Sequence, residues 1–198
     1  MERESLDRAA PATVAAIILG ASEFPYADAL PASPAFAGSA SAFIAYLKSE
    51  QGLQLGDDQV LNLFDSDGNV IEQNDRLTEY LLRNQDATDL VVYYVGHGGF
   101  LPDREYFLAL RSTKRGAEGL TGLRIRALAH ALEEHFPGKR VFLILDCCFA
   151  GEAVAEFQGD EIGTIVENKT FDALPEAGTS LLVAASKDEP AITPTGAA

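Results

Sequence analysis

The sequence predicts an α/β fold in three layers, with helices covering both faces of a mainly parallel sheet. Short, continuous apolar runs, typical of buried parallel strands, alternate along the chain with segments that have helical periodicity. Strands joined by helices form right-handed crossovers and lie parallel in one sheet. The 198 residues, 47% of them hydrophobic, can bury a sizeable core. We therefore expect residues 1–198 to form a single domain.

Apolar runs bounded by turn residues predict the strands. The first run ends at Gly20, and the second is followed by a turn over Asp65–Asn69. The fourth run is short, and we interpret it as one arm of a hairpin. The predicted strands are Thr13–Leu19, Val60–Phe64, Leu90–Val95, Tyr106–Leu110, Val141–Leu145 and Ser180–Ala185.

Helical spacing of apolar residues predicts the main helices. The first begins at about Ser39, after a proline-containing loop, and stops at Gly52. The second covers Asn74–Arg83, with Asn74 or Asp75 as its N-cap. The third covers Arg124–Phe136. The residues predicted to line their apolar faces are Phe43, Ile44, Tyr46 and Leu47, then Leu77, Tyr80, Leu81 and Leu82, and finally Ile125, Leu128, Leu132 and Phe136.

Charge and composition argue against several classes of function. The net charge of −15 is a poor match to nucleic acid or to an anionic membrane surface. The longest apolar candidate, Val14–Gly20, is far shorter than the roughly 20 residues of a membrane span, and it lacks the basic flank of a signal peptide. Two adjacent cysteines cannot build a disulfide framework, so we expect a reducing, cytoplasmic setting.

Two of the predicted strands end in reactive side chains. The run 91–95 leads into His97, which lies between glycines, so we expect His97 on an exposed loop directly after its strand. The run 141–145 leads into Cys147 and Cys148. Ligand sites in open α/β sheets lie at the carboxyl ends of the strands. A thiolate is a strong nucleophile when a neighbouring imidazole lowers the pKa of the thiol. The sequence therefore predicts a Cys–His pair at this edge of the sheet. Because side chains alternate along a strand, one cysteine should face the core and the other the cleft.

The segments His97-Gly98 and Asp146-Cys147-Cys148-Phe149-Ala150-Gly151 resemble the caspase-like cysteine peptidases, and more closely the metacaspase form than the Gln-Ala-Cys form of animal caspases. The resemblance implies the caspase–haemoglobinase version of the three-layer sandwich. It also implies that Cys148 is the nucleophile, that His97 is the general base and acid, and that Cys147 is structural. The oxyanion hole would consist of the amide N–H groups of Gly98 and Cys148.

The same resemblance implies a cysteine endopeptidase that cleaves proteins or peptides after Arg or Lys. Asp146, Ser186 and Asp188 would form the S1 pocket for this basic P1 side chain. The chain departs from the metacaspase pattern at Ser39–Ala42, where an acidic residue is expected at the start of the first helix. Bacterial proteins of this kind often belong to stress or defence systems, which is a family-level expectation.

The remaining expectations concern partners, metals and the alternative function. Little chain follows the last predicted strand, so we expect the small-subunit-like part to be truncated or absent and to come from a C-terminal segment or a regulatory partner. No cofactor or metal is expected: the turn at 65–69 lacks the glycine and glutamate of a calcium loop, and nothing local makes Asp160 and Glu161 a calcium site. The alternative is a catalytically silent caspase-like module that recruits other proteins. An esterase is excluded because no Gly-x-Ser-x-Gly motif occurs.

Overall fold

The computed structural model describes residues 13–103, 105–149 and 179–183, and in them it confirms the predicted mainly parallel sheet with helices on both faces. Seven strands of the described part form one sheet. They are β1 (Val14–Gly20), β2 (Val60–Asn62), β3 (Asp89–Phe100), β4 (Tyr106–Leu108), β5 (Leu123–Arg124), β6 (Arg140–Phe149) and β7 (Thr179–Val183). The helices between them are α1 (Pro34–Lys48), α2 (Val70–Arg83), the short α3 (Glu118–Thr121) and α4 (Ile125–His135).

Strand β3 lies at the centre of the sheet. It pairs in parallel with β1 on one edge and with β6 on the other, while β2 extends the sheet beyond β1 and β7 extends it beyond β6. The pairing with β1 ends at Gly20–Val95, and the antiparallel pairing with β4 begins at Gly98–Leu108. The last third of β3 is therefore held by a hairpin, as the short run at Tyr106 predicted.

The two faces of the sheet carry separate apolar clusters. Helix α1 packs on one face through Phe36, Ala40 and Leu47, together with the loop that precedes it. Helices α2 and α4 pack on the other face, where Leu81 and Leu128 meet the inner strands. No helix in the ranges that the structure describes is both long and apolar enough to cross a bilayer.

Two helix starts differ from the prediction. Helix α1 begins at Pro34, five residues earlier than predicted, because proline is favoured in the first turn of a helix. Helix α2 begins after Asn69, whose side chain accepts hydrogen bonds from the amides of Ile71 and Glu72. The Glu72 carboxylate in turn accepts from the Asn69 amide, which completes a capping box. The predicted caps Asn74 and Asp75 were wrong. Tyr46 and Leu82, both predicted on apolar helix faces, are half-exposed.

Gly20 allows β1 to end directly against β3. Its φ of +124° is a conformation that other residues rarely adopt, and a Cβ there would lie 1.8 Å from the carbonyl oxygen of Val95. By contrast, Gly38 in the exposed part of α1 has open space around the corresponding position.

We predict that Gly20→Ala lowers the free energy of unfolding by more than about 2 kcal/mol, because the backbone of β1 must move away from β3. Gly38→Ala is the control, and it should raise stability by up to about 1 kcal/mol because alanine favours the helix. Urea unfolding of both variants measures the difference. Equal stability of the two would show that the ends of β1 and β3 tolerate separation.

Candidate active site

His97 lies inside β3 and is buried, with only 6% of its surface exposed. The prediction of an exposed loop at this position was wrong. Two features explain the difference: pairing with β4 keeps the backbone extended to Phe100, and the loop before α1 folds over the ring. That loop contributes Phe24, and α1 contributes Phe36; both ring centroids lie 5.1 Å from that of the imidazole.

A backbone carbonyl selects the tautomer of His97. The Nε2 atom lies 2.8 Å from the carbonyl oxygen of Pro31, and a carbonyl can only accept a hydrogen bond. In the neutral ring Nε2 therefore carries the proton, and Nδ1 carries the lone pair. Nδ1 is buried, and no atom of the described part of the chain hydrogen-bonds to it. The atom of His97 that can accept a proton is thus Nδ1.

The surroundings of His97 favour the neutral imidazole. Burial lowers the pKa of His97 below its ordinary value of 6.5, and the hydrogen bond to Pro31 opposes this effect only in part. A histidine with a lowered pKa remains an available base at and somewhat below neutral pH.

Cys148 lies directly opposite His97 in the sheet. In the parallel ladder of β3 and β6, His97 pairs with Cys148, one step beyond the pair of Gly96 and Cys147. Neighbouring strands are about 4.8 Å apart, so the two backbones are adjacent. Only the backbone of Cys148 belongs to the described part of the structure, and its side chain lies outside it.

The side chain of Cys147 lies in the core, as strand alternation predicted for one of the two adjacent cysteines. Its side chain is only 2% exposed, in the cluster of buried residues beneath α2 and α4. Its Sγ lies 3.2 Å from the hydroxyl of Tyr106. Gly98 permits this arrangement, because a Cβ there would lie 2.0 Å from the same hydroxyl.

The amide of Gly98 faces β6. In an antiparallel ladder, hydrogen-bonded and non-hydrogen-bonded residue pairs alternate. The Ala109 amide donates to the His97 carbonyl at 2.8 Å, and the Leu101 amide donates to the Glu105 carbonyl at 2.9 Å. These bonds leave Gly98 at a non-hydrogen-bonded position relative to β4. Its N–H therefore lies on the edge of β3 next to β6, the strand that carries Cys148.

Asp146 is partly buried on the face of the sheet that α1 covers. It lies in β6, and its Oδ2 accepts a hydrogen bond of 2.9 Å from the hydroxyl of Tyr93. Burial, reinforced by this carboxylate, raises the pKa of Tyr93, while a hydrogen bond from Ser39 opposes the shift. Ser39–Ala42 lie in the middle of α1 and not at its start, where the comparison with metacaspases had placed them.

Several predicted site residues lie outside the described ranges. These are Ser186 and Asp188, predicted for the S1 pocket, and Asp160 and Glu161, considered for calcium. Within the described ranges, no cluster of three or more histidine, cysteine, aspartate or glutamate side chains could hold a metal ion. Asp65, in the turn that superficially resembles a calcium loop, instead accepts hydrogen bonds from the amide and the hydroxyl of Ser22.

Sequence analysis missed the contribution of the loop over residues 22–34. Its prolines predict only a loop between β1 and α1, yet this loop supplies Phe24 and Pro31 to the surroundings of His97. The available signal was its position, because it follows β1 at the same edge of the sheet as His97.

Comparison with known proteins identifies structural similarity at low sequence identity. No family profile and no curated protein sequence matches the chain. One similar solved structure is protein GSU0716 from Geobacter sulfurreducens, with 18% identity and a TM-score of 0.49, covering 86% of this chain and 71% of that one. Another is caspase-1 from Spodoptera frugiperda, with 18% identity and a TM-score of 0.45 over 75% of this chain. The chain spans 55% of that caspase. Neither similarity assigns an activity or a site residue to this chain.

We predict that His97 makes stability depend on pH. Since its folded-state pKa is lowered, the unfolded chain binds more protons just below pH 6.5, and the stability present above this pH is lost as pH falls through the folded pKa. His97→Gln, which retains an N–H donor, should lose less stability between pH 7 and pH 5 than the wild type. Urea unfolding at both pH values measures this. Identical losses in the two proteins would mean that His97 is not held neutral.

Proposed function

We propose that this chain is a caspase-like cysteine endopeptidase in which His97 and Cys148 form the catalytic dyad. The observation that carries the proposal is the register of β3 and β6, which sets these two residues opposite each other at neighbouring strands. Ile144 and Asp146 pack on the face of the sheet that holds the His97 ring. Since every second residue of a strand faces the same side, strand alternation favours this face for position 148 as well.

The state of His97 supports its role as the base. The proton on Nε2 is donated to Pro31, which leaves the Nδ1 lone pair to act as the base. In the proposed dyad, Nδ1 accepts the proton of the Cys148 thiol. Proton transfer creates a thiolate and an imidazolium, and the Pro31 carbonyl stabilises the new charge through the same hydrogen bond. The surrounding aromatic rings exclude water, which strengthens the interaction between the two charged groups.

The reaction then follows the chemistry of thiol nucleophiles. The thiolate adds to the carbonyl carbon of the scissile bond, and the imidazolium gives its proton to the leaving amine as the C–N bond breaks. A water molecule, deprotonated by the neutral ring, hydrolyses the resulting thioester. The ladder of β3 and β6 extends to the pair Gly98–Phe149. The Gly98 amide can therefore stabilise the tetrahedral oxyanion only when this last pair separates.

We further propose that the pocket for the P1 side chain is acidic. Asp146 lies two positions before Cys148 in β6, and side chains two positions apart lie on the same face of a strand. We therefore expect the Asp146 carboxylate beside the proposed nucleophile. A carboxylate at this place favours Arg or Lys through charge-assisted hydrogen bonds and disfavours Asp, since two buried like charges repel. Ser186 and Asp188 remain candidates for the same pocket.

We predict that Cys148→Ala abolishes peptide hydrolysis and labelling by a thiol-reactive peptide, because it removes the nucleophile. Cys147→Ala is the matched control, since it changes the adjacent buried thiol, and it should retain most of both activities. Hydrolysis of a fluorogenic peptide library and mass spectrometry of the labelled chain measure the two properties. Cleavage that persists in Cys148→Ala together with a label on Cys147 would reverse the assignment.

We predict that an active form cleaves peptides with Arg or Lys at P1 in preference to matched peptides with Asp. Asp146→Asn should lower kcat/KM for the basic peptides about tenfold or more, the equivalent of one hydrogen bond to a charged group. Asp75→Asn, on the exposed side of α2, is the control and should have no effect. Preferential cleavage of the Asp peptide would refute the acidic pocket while leaving the dyad intact.

A further inference from the structure

The hydroxyl of Tyr94 lies beneath the backbone of His97, on the face of the sheet opposite the imidazole ring. Tyr94 is fully buried among the residues packed under α2 and α4. Its hydroxyl has a single hydrogen, which it shares between the carbonyl oxygen of Ala109, at 2.8 Å, and that of His97. The His97 carbonyl additionally accepts from the Ala109 amide at 2.8 Å. The Tyr94 hydroxyl thus connects the backbone of His97 in β3 to the backbone of Ala109, directly after β4.

This contact falls where β3 changes its partner. The pairing with β1 ends at Val95, and the pairing with β4 begins at Gly98. Between them Gly96 has a φ of +153°, and a Cβ there would lie 2.9 Å from the Tyr94 hydroxyl oxygen. Glycine at 96 therefore provides the space that the hydroxyl occupies.

Burial keeps the Tyr94 hydroxyl in its protonated, donating form. It raises the pKa of Tyr94 well above the ordinary value, and the nearby Cys147 side chain acts in the same direction. Both carbonyl oxygens can only accept, so the hydroxyl donates its one hydrogen to this pair at neutral pH.

We infer that Tyr94 is a positioning residue for His97. Pro31 holds the imidazole at Nε2 from one face of the sheet, and Tyr94 holds the backbone carbonyl of the same residue from the other. The direction in which Nδ1 points depends on both attachments. This inference rests on the proposed dyad, in which Nδ1 must face the thiol of Cys148.

The test compares two buried tyrosines. Tyr94→Phe removes only the hydroxyl and keeps the ring. Tyr80→Phe is the matched control, because the Tyr80 hydroxyl is also buried, donates to the Gln59 carbonyl at 2.6 Å and accepts from the Ala16 amide at 3.1 Å. The probe is iodoacetamide, with the label located at Cys148 by fragmentation mass spectrometry and the rate followed from pH 5 to pH 9. Urea unfolding reports the stability of each variant.

Tyr94→Phe should slow the alkylation of Cys148 at pH 7 by roughly 3- to 10-fold, as expected when one hydrogen bond no longer orients the base. Its pH profile should also shift upward, toward the pKa of about 8.5 of an ordinary thiol. Tyr80→Phe should stay within about twofold of the wild type, even if it loses as much stability. A purely structural role of Tyr94 would not move the pH profile.

Two results overturn the inference in distinguishable ways. If His97→Gln slows alkylation but Tyr94→Phe behaves like Tyr80→Phe, Tyr94 does not position His97 and the dyad stands. If His97→Gln leaves the rate unchanged, the dyad itself is wrong, and there is no base for Tyr94 to position.

A second pair of variants covers the case in which Tyr94→Phe does not fold. Gly96→Ala introduces a methyl group against the Tyr94 hydroxyl and should slow alkylation in the same way. Gly138→Ala is its control, because Gly138 also has a positive φ, of +69°, but has open space around it. Equal alkylation rates in these two variants would refute the inference.

Discussion

The parallel pairing of β3 with β6 brings His97, Gly98, Asp146 and the backbone of Cys148 to one edge of the sheet. At its first step, Arg140 forms two hydrogen-bonded contacts of 2.7 Å with the carboxylate of Asp89, a bidentate arrangement with little freedom. The ladder then continues in step to Gly98 and Phe149. A slip of one residue would interchange the two faces of β6 and set Cys147 opposite His97. The arrangement of the candidate site residues at the carboxyl edge therefore depends on a register that is established at the other end of the strands.

The two faces of the sheet contribute differently to the site. On the face under α1, the ring of His97 lies between Phe24 and Phe36 and bonds to Pro31. On the opposite face, the hydroxyls of Tyr94 and Tyr106 occupy space that glycines in β3 leave open. The glycines flanking His97 thus serve the face of the sheet under α2 and α4, where they allow polar groups to approach the backbone. Such packing beneath His97 restricts the orientation of its backbone.

Sequence reasoning reached those parts of the site that depend on strand ends. The carboxyl ends of parallel strands lie at one edge of a sheet, and the observed register sets the backbones of His97 and Cys148 opposite each other there. It did not reach Pro31, because that contact joins residues 66 positions apart and uses a backbone carbonyl, which has no residue-specific signal. It also placed His97 on an exposed loop, since glycine-rich segments usually form turns, and here pairing with β4 extends the strand.

The sequence by itself determined the fold class and the succession of strands and helices along the chain, because apolar runs and helical periodicity are local properties. The Asn69–Glu72 capping box, which fixes the start of α2, is also a local sequence feature, although the prediction placed that start at Asn74. Tertiary structure alone decided the protonation and the direction of the imidazole. Burial lowers the pKa of His97, the Pro31 carbonyl selects its tautomer, and the Tyr94 hydroxyl attaches its backbone to the hairpin. These effects come from groups that are distant along the chain and become neighbours only when the layers pack.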